Sequence, residues 1–200
     1  MRRALLAALA AAVLLLSGCT SDDNLPGEAR IDVDTPALVQ MKADAQVEDC
    51  EPGDAAPVEG GLPEVTLPCF GGGPEVELSS LRGPLVVNLF AATCGPCRKE
   101  MPVLQQFHDK YGDQVGVLGV DYNDRQTEPA MELVQKSGVT YPLLADPQSD
   151  LLGAAPFPNR VGLPLFAFVA ADGTVELASG GVDSLDDLVA LANAKLGTDL

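Results

Sequence analysis

Apolar positions along this chain fall into two patterns. Short, continuous, β-branched runs alternate with longer segments in which apolar residues recur every three or four positions. The first is the pattern of a buried strand and the second that of an amphipathic helix. Leu85–Phe90 (LVVNLF), Val115–Val120 (VGVLGV) and Leu165–Ala170 (LFAFVA) read as buried strands, and Leu143-Leu144 as a shorter one. Lys99–Tyr111 places Met101, Leu104, Phe107 and Tyr111 at helical spacing, with Pro102 expected to kink its first turns. Thr127–Ser137 carries Met131, Leu133 and Val134 and stops at Gly138. Leu185–Leu196 sets Leu185, Leu188, Val189, Ala192 and Leu196 on one face. Asp172-Gly173 is a hairpin turn leading into Val175–Ala178. Val65–Leu67 and Val76–Leu78 flank Gly71-Gly72-Gly73 as an N-terminal hairpin. The order predicts an α/β fold, with a central mixed β-sheet flanked by helices and an N-terminal β-hairpin extension.

Before residue 62 the pattern changes. Arg2 and Arg3 precede an apolar run, Ala4–Leu16, and Leu16-Ser17-Gly18-Cys19 follows. A charged start, a short apolar stretch and small residues at a cut site predict a secretory signal over residues 1–18. The run is shorter than the about 20 residues that a membrane-spanning helix needs. LSGC resembles the lipobox of bacterial lipoproteins, which implies cleavage before Cys19 and lipid on its sulfur. Residues 19–61 are then read as the lipidated cysteine and an acidic, flexible tether. Thr20 to Asp49 holds eight carboxylates against Arg30 and Lys42 and has no aromatic residue. Glu51 to Pro63 is rich in Pro and Gly and reads as loop. The domain proper is expected over 62–200.

Charge narrows the partners. The formal net charge is −17, so nucleic acid is excluded as an expected partner and direct adsorption to anionic lipid is disfavoured. Membrane contact would come through the lipid on Cys19. Five cysteines are present: Cys19, Cys50, Cys69, Cys94 and Cys97. Setting aside Cys19 and the CxxC pair leaves Cys50 and Cys69, an even remainder in a chain read as exported.

The chemistry centres on Thr93-Cys94-Gly95-Pro96-Cys97-Arg98-Lys99-Glu100. A structural zinc site needs four ligands. The sequence has no second CxxC, and its one histidine, His108, stands about 16 Å further along the predicted helix, on an expected solvated face. No metal or other cofactor is therefore expected. Attachment of c-type haem requires His after the second cysteine, where Arg98 stands. A peroxidatic cysteine of peroxiredoxin type would need Thr and Pro where Ala91 and Val87 stand. A redox dithiol fits. A cysteine between a buried strand and a helix start has unpaired backbone N–H groups and the helix dipole to stabilise its thiolate. Cys94 is the expected nucleophile, and Cys97, one turn further in, the resolving thiol. Pro96 suits a first helical turn.

From about Leu62 to Leu196 the sequence resembles the TlpA/ResA-like branch of the thioredoxin superfamily, membrane-anchored thiol:disulfide oxidoreductases of bacterial envelopes. NLFAATCGPCRKEMP (Asn88–Pro102), GVTYPLLAD (Gly138–Asp146) and VGLPLFAFVAADG (Val161–Gly173) carry the resemblance. It implies a thioredoxin-like fold and disulfide exchange with exported proteins, apocytochrome c among them, with reducing power from a membrane electron donor. Pro164 matches the cis-proline that faces the dithiol, leaving the Leu163 backbone free to pair with a substrate strand. Glu100 matches an acidic residue able to move a proton to or from a thiol if partly buried, the alternative being an exposed first-turn glutamate. Asn88 stands where thioredoxins carry a buried Asp. Thr93 replaces the usual Trp, and with Gly95, Pro96 and Leu163 makes the expected substrate surface. Cys50 and Cys69 are expected to form a structural disulfide, contributing about 3 kcal/mol by loop closure, with an accessory redox pair as the alternative. A disulfide-donating oxidase and a Cu(I) or assembly chaperone using the same thiols remain the other readings.

Overall fold

Strand β3 (Leu85–Phe90) is buried at every position because it runs through the middle of a five-stranded sheet covered on both faces. A computed structural model describes residues 31–200, and these form one compact unit. One edge of β3 pairs in parallel with β4 (Gly116–Tyr122), which pairs in parallel with β5 (Leu143–Asp146). The other edge pairs antiparallel with β6 (Leu165–Val169), which turns into antiparallel β7 (Val175–Ser179). The spatial order is β5-β4-β3-β6-β7. Helix α2 (Cys97–Tyr111) connects β3 to β4, α3 (Thr127–Ser137) connects β4 to β5, and α4 (Leu185–Leu196) follows β7. This is the mixed, helix-flanked sheet of a thioredoxin-like fold.

Alternation along β3 divides the core. Val86 and Phe90 face Met101, Leu104 and Phe107 of α2, with Met131 of α3 and Leu188 of α4. Asn88 shares that parity and so points toward α2. Val87 and Leu89 face the opposite layer, with Leu67, Val76 and Leu78. Leu67 and Val76 belong to the N-terminal hairpin, β1 (Thr66–Leu67) against β2 (Val76–Glu77), and Leu78 opens the 3-10 turn that follows it. The hairpin continues onto the outer edge of β5. Phe70 N–H donates to Leu143 O at 2.8 Å, and Ala145 N–H donates to Pro68 O at 3.0 Å. That edge is thereby covered rather than left open. Helix α2 starts at Cys97, two residues before the sequence pattern begins, and runs to Tyr111 through Pro102.

Two expectations need correction. The tether expected through residue 61 belongs to the compact unit from Ile31 onward, and it contains a helix, α1 (Pro36–Ala45). Thr35 Oγ1 caps α1 by accepting the Leu38 N–H, and Pro36 occupies its first turn. Leu38 is fully buried, with Val33 and Val47 beside it in the core, and Gln135 of α3 donates to Met41 O at 3.0 Å. The acidic side chains stay outside while one narrow apolar stripe packs, so an average over composition hides it. The signal over 1–18, Cys19 and the start of the tether lie outside the described residues. His108 is the second correction: it is half-buried, edge-on to Tyr141, with Nε2 3.0 Å from Glu48 Oε1. Glu48 reaches it because the 46–50 segment packs here, its N–H donating to Thr140 O at 2.7 Å.

Leu38→Ala should cost about 2–5 kcal/mol, the usual range for emptying a packed leucine site. Denaturant unfolding measures it, and an unchanged midpoint would return residues 31–49 to the status of a tether.

Candidate active site

The chain leaves β3 at Phe90 and enters α2 at Cys97, and a small set of polar contacts shapes the turn between. Asp124, just past β4, accepts the Ala92 N–H at 2.6 Å. Arg98 donates to the Ala92 carbonyl through Nη2 at 2.7 Å and Nε at 3.3 Å. Ala92 is thus held from both sides. The Cys94 N–H donates to Ala91 O at 3.0 Å. Thr93, Gly95 and Pro96 are exposed, Cys94 is 9% exposed and Cys97 is fully buried. The two cysteines form a disulfide in this structure. The Cys97 N–H, the first of α2, points at Cys94 Sγ at 3.2 Å. On reduction the same N–H and the helix dipole favour negative charge on Cys94. Cys97, inside the first turn and sealed from solvent, has no such advantage.

Glu100 is fully buried one turn after Cys97, which removes the exposed-glutamate alternative. Asn88 on β3 donates Nδ2–H to Glu100 Oε1 at 2.8 Å. Oε2 is buried without a hydrogen-bond partner of ordinary geometry, and so is Asn88 Oδ1. Burial raises the Glu100 pKa from 4.5 to about 7, against the opposing pull of the Asn88 amide and, more weakly, the Val182 backbone amide. The Tyr141 hydroxyl is pushed up as well, first by burial and then by the Glu100 charge. Oε2 faces Gly181: a Cβ on that glycine would come within 3.3 Å of Oε2 and 3.7 Å of Pro164 Cγ. Gly181 is therefore the close approach that lets the segment before α4 seal the carboxyl and Pro164 together.

The Leu163–Pro164 peptide is cis and Pro164 is buried. Leu163 is half-buried, and its backbone makes no hydrogen bond among the described residues. Two grooves flank the motif. One, of about 460 Å³, runs between Gly95, Pro96 and Lys99 on one wall and Gly181, Val182 and Asp183 on the other. The second, of about 250 Å³, is lined by Thr93, Arg98, Gln126 and Lys136. The sequence-expected residues thus meet at one end of the central strands β3 and β6, with Gly181 joining the Gly95-Pro96 wall to Glu100 and Pro164. Cys50 and Cys69 do not join them. They form their own disulfide, and Cys69 bridges to Leu144 on β5, two strands away from β3.

Sequence reasoning missed Asp124, Arg98, Gly181 and Asp121. Asp121, at the end of β4 opposite Phe90, is buried with both carboxyl oxygens unpartnered. Burial, aided by the Asp124 charge, holds its carboxyl well above the usual range. An acid inside the apolar run that ends β4 is the one signal that pointed to it. Asp124, Arg98 and Gly181 sit in segments whose composition is ordinary.

The chain matches the AhpC/TSA family over residues 58–178. The thiol-disulfide oxidoreductase ResA of Geobacillus kaustophilus (strain HTA426) is 28% identical over 113 residues, covering 56% of this chain and 63% of ResA. The chain spans less than two thirds of the length of the curated relatives it matches. Among solved structures, MTB DsbF in mixed oxidised and reduced forms superposes with a TM-score of 0.57 at 28% identity, covering 66% of this chain and 94% of that one. A secreted Mycobacterium tuberculosis disulfide oxidoreductase shares the fold, with a TM-score of 0.56 at 22% identity over 66% of this chain and 96% of that one.

Because Glu100 is raised in the folded state, its stabilising contribution is complete below its ordinary value of 4.5 and is lost as pH rises through about 7. The loss amounts to about 3 kcal/mol. Wild type and Glu100→Gln should therefore diverge by about that amount between about pH 4 and pH 8 in chemical denaturation, with wild type losing stability. Parallel stability profiles would rule out a neutral buried Glu100.

Proposed function

The chain belongs to the AhpC/TSA family, and from that premise we propose that it is a thiol:disulfide oxidoreductase that reduces disulfides in exported proteins through Cys94 and Cys97. One observation carries the reading: the helix-opening N–H of Cys97 lies on Cys94 Sγ, directly before a buried carboxyl with a pKa of about 7. In the reduced protein the Cys94 thiolate attacks a client disulfide. A Cys94–client bond forms, the client bond breaks and one client sulfur leaves with the electron pair. Glu100, charged, takes the proton of Cys97. The Cys97 thiolate attacks Cys94 Sγ, the intramolecular disulfide forms and the second client sulfur departs. Two electrons have moved to the client. A membrane thiol donor restores the dithiol.

Docking follows from unpaired backbone. The N–H and C=O of Leu163, unpaired among the described residues and beside cis-Pro164, suit an extended client segment added as a short strand. The Gly95–Pro96–Lys99 groove takes the residues flanking the client cysteine. Thr93 leaves the rim open and offers a hydroxyl where relatives of this type carry a flat Trp. The secretory signal and LSGC support an extracytoplasmic protein held by lipid on Cys19, with apocytochrome c as one client class.

Cys97→Ser should accumulate covalent mixed disulfides with clients, whereas Cys94→Ser should accumulate none and lose all disulfide reduction. Non-reducing electrophoresis followed by mass spectrometry reads both, and trapping by Cys94→Ser would overturn the assignment of the nucleophile. Glu100→Gln should slow the resolving step by about 10²-fold, the usual worth of a positioned proton acceptor. The couple should titrate near about −270 mV, and a value near about −120 mV would make the protein a disulfide donor instead.

A further inference from the structure

Lys42 is the one lysine or arginine that is buried among the described residues, and it is spent on a disulfide. It projects from α1 so that Nζ lies 3.5 Å from Cys69 Sγ, 2.8 Å from Gly72 O and 3.0 Å from Asp49 Oδ1. The three glycines of the hairpin loop make this fit possible. A Cβ on Gly71 would meet Lys42 Cβ at 2.8 Å, and one on Gly73 would meet Cys69 Sγ at 3.1 Å. Asp49 shares the ammonium, but its side chain is 87% exposed while the sulfur is buried. Water therefore screens the carboxylate more than the sulfur.

The partner sulfur sits in the opposite field. Cys50 Sγ lies 3.2 Å from the Leu143 carbonyl oxygen, the negative end of a dipole. Charge is thus welcome on Cys69 and unwelcome on Cys50. Cys50 also forms part of the wall of a cavity of about 500 Å³, with apolar Leu85 and Leu118 inside and Glu48, Asp49 and Glu51 around it. Cys50 is thus the cysteine of the pair that lines this cavity, and Glu48, Asp49 and Glu51 on the same wall disfavour anionic thiols there.

We propose that Cys50–Cys69 is a second, exchange-active disulfide, opened at Cys50 by small thiols without net negative charge, with Cys69 leaving as a thiolate paired to the Lys42 ammonium. The incoming thiolate forms an S–S bond to Cys50, the Cys50–Cys69 bond breaks, and its electron pair stays on Cys69. A second thiol displaces Cys50 from the adduct. The products are one low-molecular-weight disulfide and the reduced Cys50/Cys69 pair, with both electrons supplied by the two thiols. This chemistry is independent of Cys94 and Cys97.

The test uses the full chain carrying Cys19→Ser, Cys94→Ser and Cys97→Ser, so that Cys50 and Cys69 are the cysteines left. Cysteamine should open the bridge about tenfold faster than glutathione at equal thiolate concentration, since like charges slow the approach of the anionic thiol. Peptide mapping should find the first adduct on Cys50. Lys42→Met should slow opening about tenfold through the poorer leaving group, while Lys42→Arg keeps the rate within about twofold. Equal rates for the two thiols, an adduct on Cys69, or an unchanged rate in Lys42→Met would each overturn the proposal. A second measurement needs no Lys42 variant and so does not depend on how one folds. After reduction, alkylation of Cys69 should titrate below the ordinary cysteine value of about 8.5 and that of Cys50 at or above it. Among the described residues, the charged groups around the pair and its cavity are Lys42, Asp49, Glu48 and Glu51, and of these Lys42 is the cation, set at Cys69 Sγ. A Cys69 midpoint at or above about 8.5 would show that the ammonium does not act on the sulfur.

Discussion

The site depends on one constraint: a strand buried on both faces must become a helix between Phe90 and Cys97 without stranding polar backbone in the core. Ala92 solves it, its N–H taken by Asp124 and its carbonyl by Arg98. With Ala92 fixed, the first N–H of α2 has one direction in which to point, and Cys94 Sγ is there. The helix start that would otherwise leave an unpaired donor becomes the device that favours a sulfur anion. The field at Cys94 Sγ is in this sense a by-product of satisfying a strand–helix junction.

Asn88 and Glu100 form the second layer of that junction. An Asn in the central strand donates to a carboxyl on the first turn of the following helix, so strand and helix are tied across the core by one hydrogen bond of 2.8 Å. The tie is incomplete, because Asn88 Oδ1 and Glu100 Oε2 have no hydrogen-bond partner of ordinary geometry among the described residues. A buried, half-satisfied carboxyl is costly to charge, and this cost sets its pKa near neutrality. Gly181 completes the enclosure by a close approach, where an added Cβ would lie 3.3 Å from Glu100 Oε2. Stability is given up locally, and a group able to gain and lose a proton at neutral pH results.

The N-terminal segment shows the same economy at the β5 edge of the sheet. Residues 31–50 and the glycine-rich hairpin close over Lys42 and the Cys50–Cys69 bridge, and Pro68–Phe70 covers the outer edge of β5. Removal of this segment would expose that strand edge and part of the core at once. Residues 31–61, which composition marks as a tether, are accordingly part of the compact unit.

The strand and helix order, the CGPC turn and the Cys94/Cys97 pair were legible along the chain, because continuous apolar runs, period-3.6 patterns and short motifs are local properties. LVVNLF, LFAFVA and the Leu185–Leu196 stripe needed no neighbours to be recognised. Helix α1 was not read, although Thr35-Pro36 is a helix start signal, because Leu38 and Lys42 supply too narrow a stripe to stand out among carboxylates. The burial of Glu100, the clamp on Ala92 and the approach of Gly181 depend on residues distant in sequence. So does the opposed setting of the two sulfurs, with Lys42 at Cys69 and the Leu143 carbonyl at Cys50. Sequence therefore determined which groups can do chemistry here. Folding decided their charge and reach, because desolvation and hydrogen-bond geometry exist only once distant segments are packed together.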